Sequence, residues 1–444
     1  MEKAIRPTGV VGTTAKKGSF ITKLTWLMAG GMFVDGFVLG YIGMVMPAIT
    51  KDLGLSLTWQ GLIGAAALFG TLIGAPLGGW FSDRIGRKTM FTFDLMLFLI
   101  CSIAQFFVSD PYTLFLVRFL MGAAIGIEYA VGWPLLAEFA PARIRGKLLC
   151  YTEIAWYGGY LISYAMGFFL TTLWNTHWNI ILGLSTIPTL IVFIMRLGTP
   201  ESPRWLMSKG RVDEAKAIAE KYMGEEEQQD VLNQKHDLTK ANAGFLDLFK
   251  SRNIKGTLFF TTMFVGSATP YFAIGFFVPT VLEKLGIKDG FAGGLFLNML
   301  AVAGTIACAF LIEKVGRRKM SIIPFLMTTL ALMVIAFVSS PTIIMISFLV
   351  FSFVNAITGT ILAVYPGEVF TQDVSSLGTG FGTSMSRVTA CIGTFLVPSI
   401  IAGYGVQVVI WATIVISLFA TVIAYLFCPE TKGKKLSEIF EVHP

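Results

Sequence analysis

The chain has 444 residues, of which 55% are hydrophobic and only 14% charged; its mean hydropathy is +0.71 and its net charge +7. A soluble domain carries about 25% charged residues, so this chain lacks the charge to cover a globule, and a soluble enzyme is excluded. Uninterrupted apolar blocks such as 257–281 and 408–428 exceed the ~20 residues that cross a bilayer, which predicts an all-α, polytopic membrane protein.

Taken in chain order, the apolar segments predict twelve spans near 24–48, 59–81, 89–109, 112–136, 148–171, 178–196, 257–281, 291–312, 320–339, 341–364, 376–402 and 405–428. The first is too long for a signal-peptide core and has no small-residue cleavage site, so it reads as the first helix. Lysine and arginine alternate across these spans. The N-terminal tail, the loops around 84, 145, 230 and 317, and the C-terminal tail carry 5, 3, 3, 11, 4 and 3 of them, whereas the opposite side has only Lys51, Lys284 and Lys288. Positive loops stay on the cytoplasmic side, so both termini are expected in the cytoplasm, as an even number of spans requires. This topology also accounts for the basic balance, and no nucleic-acid partner is expected. Cys101, Cys150, Cys308, Cys391 and Cys428 show no close pairing, and His177, His236 and His443 form no metal-ligand cluster. No cofactor, metal or enzymatic activity is predicted.

One long polar segment interrupts the pattern. The resulting organisation is an N-terminal six-helix bundle over 1–197, a solvated helical linker over 198–256, and a C-terminal six-helix bundle with a short tail over 257–444. The halves repeat. Asp83-Arg84-Ile85-Gly86-Arg87-Lys88 returns as Glu313-Lys314-Val315-Gly316-Arg317-Arg318 at an offset of 230, Glu138 returns as Glu368 at the same offset, and Pro200-Glu201-Ser202 returns as Pro429-Glu430-Thr431 at 229. Three matches at nearly one spacing mark a duplicated unit of parallel topology, an arrangement expected of alternating-access transporters.

Ionisable residues inside spans are the sharpest pointers to function, because a charge at mid-bilayer costs at least ~2.5 kcal/mol and normally faces a cavity or a partner. Asp35 lies midway along the first span and Arg118 within the fourth. A carboxylate whose arginine partner moves away gains proton affinity, so this pair is expected to couple protons, with Asp35 the carrier and Arg118 its switch. Glu128 stands ten residues after Arg118, about 15 Å along a helix, and reads as a second protonation site, a substrate contact or a structural partner. Arg387 has no acidic residue in any C-terminal-half span to pair with, and a guanidinium facing a cavity suits bidentate binding of a carboxylate. The substrate set is completed by Glu153, Trp156, Tyr157, Tyr271 and Phe272, with Asn298 and Asn355 as polar groups that either line the cavity or bond between helices. Gly70, Gly74 and Gly78, and likewise Gly122 and Gly126, form small-residue stripes that let helices pack closely.

The segment from Gly78 to Lys88, Arg118-Phe-Leu-Met-Gly122, the run from Glu138 to Gly146, Pro200-Glu-Ser-Pro-Arg-Trp-Leu206 and Pro429-Glu-Thr-Lys-Gly433 resemble the motifs of the major facilitator superfamily. They are similar in particular to its sugar-porter branch and the bacterial organic- and aromatic-acid:proton symporters beside it. The resemblance implies two pseudo-symmetric six-helix bundles, and an Asp–Arg proton-coupling pair at Asp35 and Arg118. It also implies a cytoplasmic gate network at Asp83, Arg84, Arg87, Asp94, Glu138, Arg145, Glu201, Arg204, Glu313, Arg317 and Glu368. The pocket departs from a sugar site. Glu153 stands where sugar porters carry a glutamine, Gly266, Ser267 and Phe272 fall on sugar-binding amides, and Ala363 replaces a tryptophan, removing hydrogen bonds a sugar needs. The expected function is therefore proton-coupled symport of a small anionic carboxylate by a monomer in the cytoplasmic (inner) membrane. A sugar or polyol symporter, an exporter and a non-transporting sensor follow in that order, the last expected to carry a larger tail than the 16 residues after Cys428.

Overall fold

The structure is a computed structural model that describes residues 9–141, 144–232, 245–251, 253–275, 277–286, 289–363, 365, 369 and 375–430. The first half contains α1 (Gly9–Gly40), α2 (Ile42–Leu53), α3 (Leu57–Ile85), α4 (Arg87–Ala104), α5 (Pro111–Phe139), α6 (Arg145–Thr172), α7 (Trp178–Gly183) and α8 (Thr186–Arg196). The connecting segment holds α9 (Pro203–Ser208), α10 (Val212–Tyr222) and α11 (Glu225–Leu232). The second half contains α12 (Ile254–Gly275), α13 (Val278–Lys284), α14 (Gly290–Val315), α15 (Arg317–Phe337), α16 (Pro341–Leu362), α17 (Ser375–Tyr404) and α18 (Val406–Phe427).

Eleven stretches among the described residues are long and apolar enough to cross a membrane, with α1–α2 and α7–α8 each counting as one. The twelfth span is α6, whose apolarity is diluted by Glu153, Trp156, Tyr157, Tyr160 and Tyr164; these same residues face the centre of the molecule. Helices α3 and α5 pack backbone to backbone. A Cβ on Gly70 would collide with the Phe119 carbonyl, and one on Gly122 with the Ala67 carbonyl, so the glycine stripes serve close approach. Gly36 against Trp156 and Gly159 against Phe33 do the same for α1 and α6.

The two halves meet away from the basic loops. Gly61 packs on the Phe395 carbonyl and Gly294 on the Tyr164 hydroxyl. Tyr164 Oη donates to the Phe291 carbonyl and Tyr160 Oη to the Gly275 carbonyl, each at 3.5 Å. These hydrogen bonds, and the ring contacts of Trp156, Tyr157 and Tyr160 with Tyr271 and of Phe168 with Phe291, lie at mid-height or toward that far end. The halves therefore close over the far side, and the central cavity faces the end bearing the basic loops.

Candidate substrate and proton site

The repeated motifs build the same device at the basic end of each half. Gly86 and Gly316 adopt φ of +107° and +97°, values that suit only glycine, and turn the chain directly from α3 into α4 and from α14 into α15. Glu201 then accepts hydrogen bonds from the Arg87 and Lys88 backbone N–H groups at 3.0 and 3.1 Å. Glu430 accepts from those of Arg317 and Arg318 at 3.1 and 3.2 Å. A carboxylate thus neutralises the positive end of each helix. Arg87 pairs with Glu138 at 2.9 Å, Ser202 donates to Glu138, and Arg84 stacks on Trp80. Burial pushes the Glu138 carboxyl above the ordinary glutamate range, and Arg87 pulls it back. All these contacts stay within one half, so in this conformation none of them bridges the gate. Arg204 is half-buried beside Glu138. The side chains of Asp83, Arg145 and Glu313, and the whole of Glu368, lie outside the described residues.

The buried charges of the first half differ from expectation in three respects. First, among the described residues Asp35 and Arg118 form no ion pair. Arg118 Nε donates to the Ile63 carbonyl at 3.3 Å and its guanidinium faces the Tyr41 hydroxyl, whereas the charges around Asp35 are Glu128, Arg196, Arg387 and Glu153. The reason is height. Tyr41, at the junction of α1 and α2, lies six residues, about 9 Å, beyond Asp35, so Asp35 is level with Glu128 rather than with Arg118. Second, Asp94 does not join the gate. It sits in the bundle interior against Arg196. Third, Arg196, counted with the loop after the sixth span, is fully buried. Its Nη1 and Nη2 grip Glu128 bidentately at 2.6 and 2.5 Å, its Nη1 donates to the Phe91 carbonyl at 3.0 Å and reaches Asp94 at 3.3 Å, and its plane stacks on the Phe91 ring. Asp94 and Glu128, two acids inside one half with no cation assigned to them, were the signal for it.

At the centre, Met32, Tyr129, Trp133, Glu153, Trp156 and Tyr157 of the first half line one side of a cavity with about 600 Å³ of open space. Ser267, Tyr271, Phe272, Asn355, Ala363 and Arg387 are among the residues of the second half that line the other. Trp156, Tyr157, Tyr160, Tyr271 and Phe272 pack ring against ring at 5.0–6.5 Å between centroids and close the far end. Arg387 lies 5.5 Å from the ring centres of both Tyr129 and Phe272. Among the described residues no carboxylate lies at ion-pair distance from it, and its Nε has no hydrogen-bond partner. Asn355 presents an amide with neither end bonded. Asn298 is the exception in the expected substrate set: it is absent from the cavity wall and donates to the Gly294 carbonyl of its own helix at 2.9 Å. Gly266 also turns away, toward Ala420 and Phe325.

Twelve spans in two repeated halves around a central cavity define a secondary transporter of the major facilitator fold. The chain belongs to the sugar (and other) transporter family, which it matches over residues 8–443. It is 34% identical to the inner membrane metabolite transport protein YgcS of Escherichia coli over 94% of this chain and 93% of that protein. It is 26% identical to the niacin transporter NiaP of Acinetobacter baylyi over 95% and 97% of the two chains. The solved structure of the proton:xylose symporter XylE of E. coli, bound to 6-bromo-6-deoxy-D-glucose, superposes with a TM-score of 0.82 at 23% identity, covering 96% of this chain and 100% of that one. The protein is thus a multi-pass membrane transporter and not an enzyme.

Proposed function

We propose that the protein is a proton-coupled symporter of a small organic acid, working by alternating access across the cytoplasmic membrane with both termini inside. One observation carries this reading: Arg387 stands in the cavity wall between two aromatic faces, with no carboxylate at ion-pair distance among the described residues. A partly buried guanidinium of this kind binds a carboxylate in bidentate fashion, and the surrounding rings offer a flat apolar slot. Niacin, named for the A. baylyi relative, is an aromatic acid of that shape. Asp35, buried beside the cavity, is the proton carrier. In this conformation the cavity faces the cytoplasm, and the Trp156–Tyr271 ring cluster separates it from the far side.

A second reading, sugar or polyol symport, is favoured by the unbonded Asn355 amide and the Tyr271 hydroxyl, which line the cavity and are able to hydrogen-bond a hydroxylated ligand. Uptake into proteoliposomes under an imposed inward proton gradient separates the two. Accumulation of labelled benzoate or nicotinate supports the organic-acid reading. Accumulation of xylose alone overturns it.

A further inference from the structure

The central cavity holds two charges of opposite sign, one from each half. Glu153 projects from α6 and Arg387 from α17, and both line the wall. These helices are counterparts in the repeat: α6 begins at Arg145 and α17 at Ser375, the offset of 230 that also separates Glu138 from Glu368. At that offset Glu153 corresponds to Thr383 and Arg387 to Tyr157. The acid and the cation therefore stand on opposite sides of the cavity, about one helical turn apart in height.

Among the described residues neither charge has a partner at ion-pair distance, and Glu153 accepts no hydrogen bond. They border the same open space without closing on each other. A substrate with a negative charge alone would pair with Arg387 and bring a second anion beside Glu153, and like charges placed together in an interface cost affinity. Aromatic faces complete a cation site around the acid. Trp156 and Tyr157 follow Glu153 by three and four residues, so they share its face of α6, and all three line the cavity. Trp133 joins them from α5, its ring stacked on Tyr129 at 5.0 Å with the planes 2° apart. The hydrogen bond from Trp156 Nε1 to the Tyr129 hydroxyl, at 3.0 Å, fixes these rings to one another. Ring faces of this kind hold ammonium and quaternary nitrogen groups, and the carboxylate beside them adds a counter-charge.

We infer that the transported molecule is a zwitterion, its carboxylate held by Arg387 and its positively charged nitrogen held by Glu153 against the rings of Trp133, Trp156 and Tyr157. A ligand of this kind pairs both cavity charges at once and leaves neither stranded. Because the poles stand on opposite halves, it also bridges them, and only a molecule with both charges is drawn from both sides. The Arg387 pole rests on the organic-acid reading above; the Glu153 pole rests on the cavity's own geometry.

Calorimetric titration of the purified full chain with compounds of one skeleton tests this. At neutral pH nicotinate carries the negative charge alone, N-methylnicotinamide the positive charge alone, N-methylnicotinate both and nicotinamide neither. N-methylnicotinate should bind about tenfold more tightly than nicotinate, and more tightly still than the other two. Glu153→Gln should weaken N-methylnicotinate by about tenfold and leave nicotinate unchanged or tighter. Arg387→Gln should abolish the binding of both acids. Nicotinate bound by the wild type as tightly as N-methylnicotinate, or a preference that survives Glu153→Gln, overturns the zwitterion; if both acids are still lost in Arg387→Gln, the organic-acid reading stands. Failure of both acids to bind the wild type, or their undiminished binding to Arg387→Gln, overturns the two readings together.

Discussion

The two halves repeat a scaffold and differ in what they bury. At their basic ends Gly86 and Gly316 turn alike, and Glu201 and Glu430 cap the following helices alike. In the interior the likeness ends. Between Gly86 and Glu138 the repeat runs at a constant offset of 230, so Asp94 and Glu128 correspond to Pro324 and Thr358. The second half is lined instead with hydroxyls that bond within or between its helices, as Thr269 does to Thr389 at 2.9 Å and Ser352 to the Leu297 carbonyl at 2.6 Å. Helix ends face the same water–lipid boundary in both halves, so the same chemistry serves twice. Among the described residues the buried charge cluster occurs in the first half alone.

The contrast is broken most sharply at Arg196. Arg196→Ala would strand Glu128 and Asp94 without their cation, and removing one partner of a buried ion pair costs about 3–5 kcal/mol. The purified variant should unfold at a clearly lower temperature. Arg196→Lys, which keeps the charge but not the fork, should lose less. No substitution of a single buried hydroxyl in the second half, Thr358→Ala for example, should approach that loss; an equal one would mean that the halves are stabilised in the same way.

Arg387 should behave oppositely. It has no ion-pair partner among the described residues to strand, so Arg387→Ala should leave thermal stability near the wild type. Losing a bidentate contact with an anion costs roughly 2–5 kcal/mol, so carboxylate uptake should fall by about 30-fold or more. Proteoliposome uptake beside a melting curve of the same sample checks both halves of this prediction. Intact uptake would remove Arg387 from the substrate site.

Much of this was readable from sequence, and the exceptions have a common cause. Hydropathy, loop charge and the 230-residue offset depend on composition along the chain, so the spans, the repeat and the end motifs were visible there. Trp156, Tyr157, Tyr271 and Phe272 were placed by their helix and register, and they line the cavity. What escaped depends on height within the bundle. Asp35 and Arg118 occupy neighbouring helices that run in opposite directions, and the six-residue offset from Asp35 to Tyr41 decides which of them meets Arg118. Arg196 ends an apolar run and so resembles a boundary residue; only its partners on α4 and α5 reveal that it is internal. Asn298 failed for a local reason, since its own helix offers a carbonyl one turn back.

The shared scaffold makes its own prediction. A Cβ at Gly86 would strike Glu201, and at Gly316 it would meet Glu430 Oε2 at 2.8 Å, in a backbone conformation that non-glycine residues avoid. Gly86→Ala and Gly316→Ala should each cost about 1–3 kcal/mol, and the two losses should be similar. A large loss at one site and none at the other, in thermal unfolding of the purified variants, would show that the repeated motif has come to serve different purposes in the two halves.

The smallest expected effect lies at the far ends of α5 and α16, where the repeat also diverges. Asp110 precedes Pro111 and caps α5, accepting from the Tyr112 and Thr113 backbone N–H groups at 2.9 Å and from the Thr113 hydroxyl at 2.5 Å. Ser340 stands 230 residues later, before Pro341, and its side chain makes no cap bond. The hydrogen bond from the Thr113 hydroxyl, helped by the two N–H groups, holds the Asp110 carboxyl below its ordinary pKa of 3.8. A depressed carboxylate contributes stability that is fully present above the unfolded-state pKa and lost as pH falls through the folded one. Asp110→Ala should therefore lower the unfolding temperature slightly and by a constant amount from neutral pH down to about 5, with the gap to wild type closing below about 4. Ser340→Ala should change nothing at any pH. If the two alanine variants lost stability equally, or if the Asp110 gap did not narrow in acid, the cap would be contributing through packing rather than through its charge.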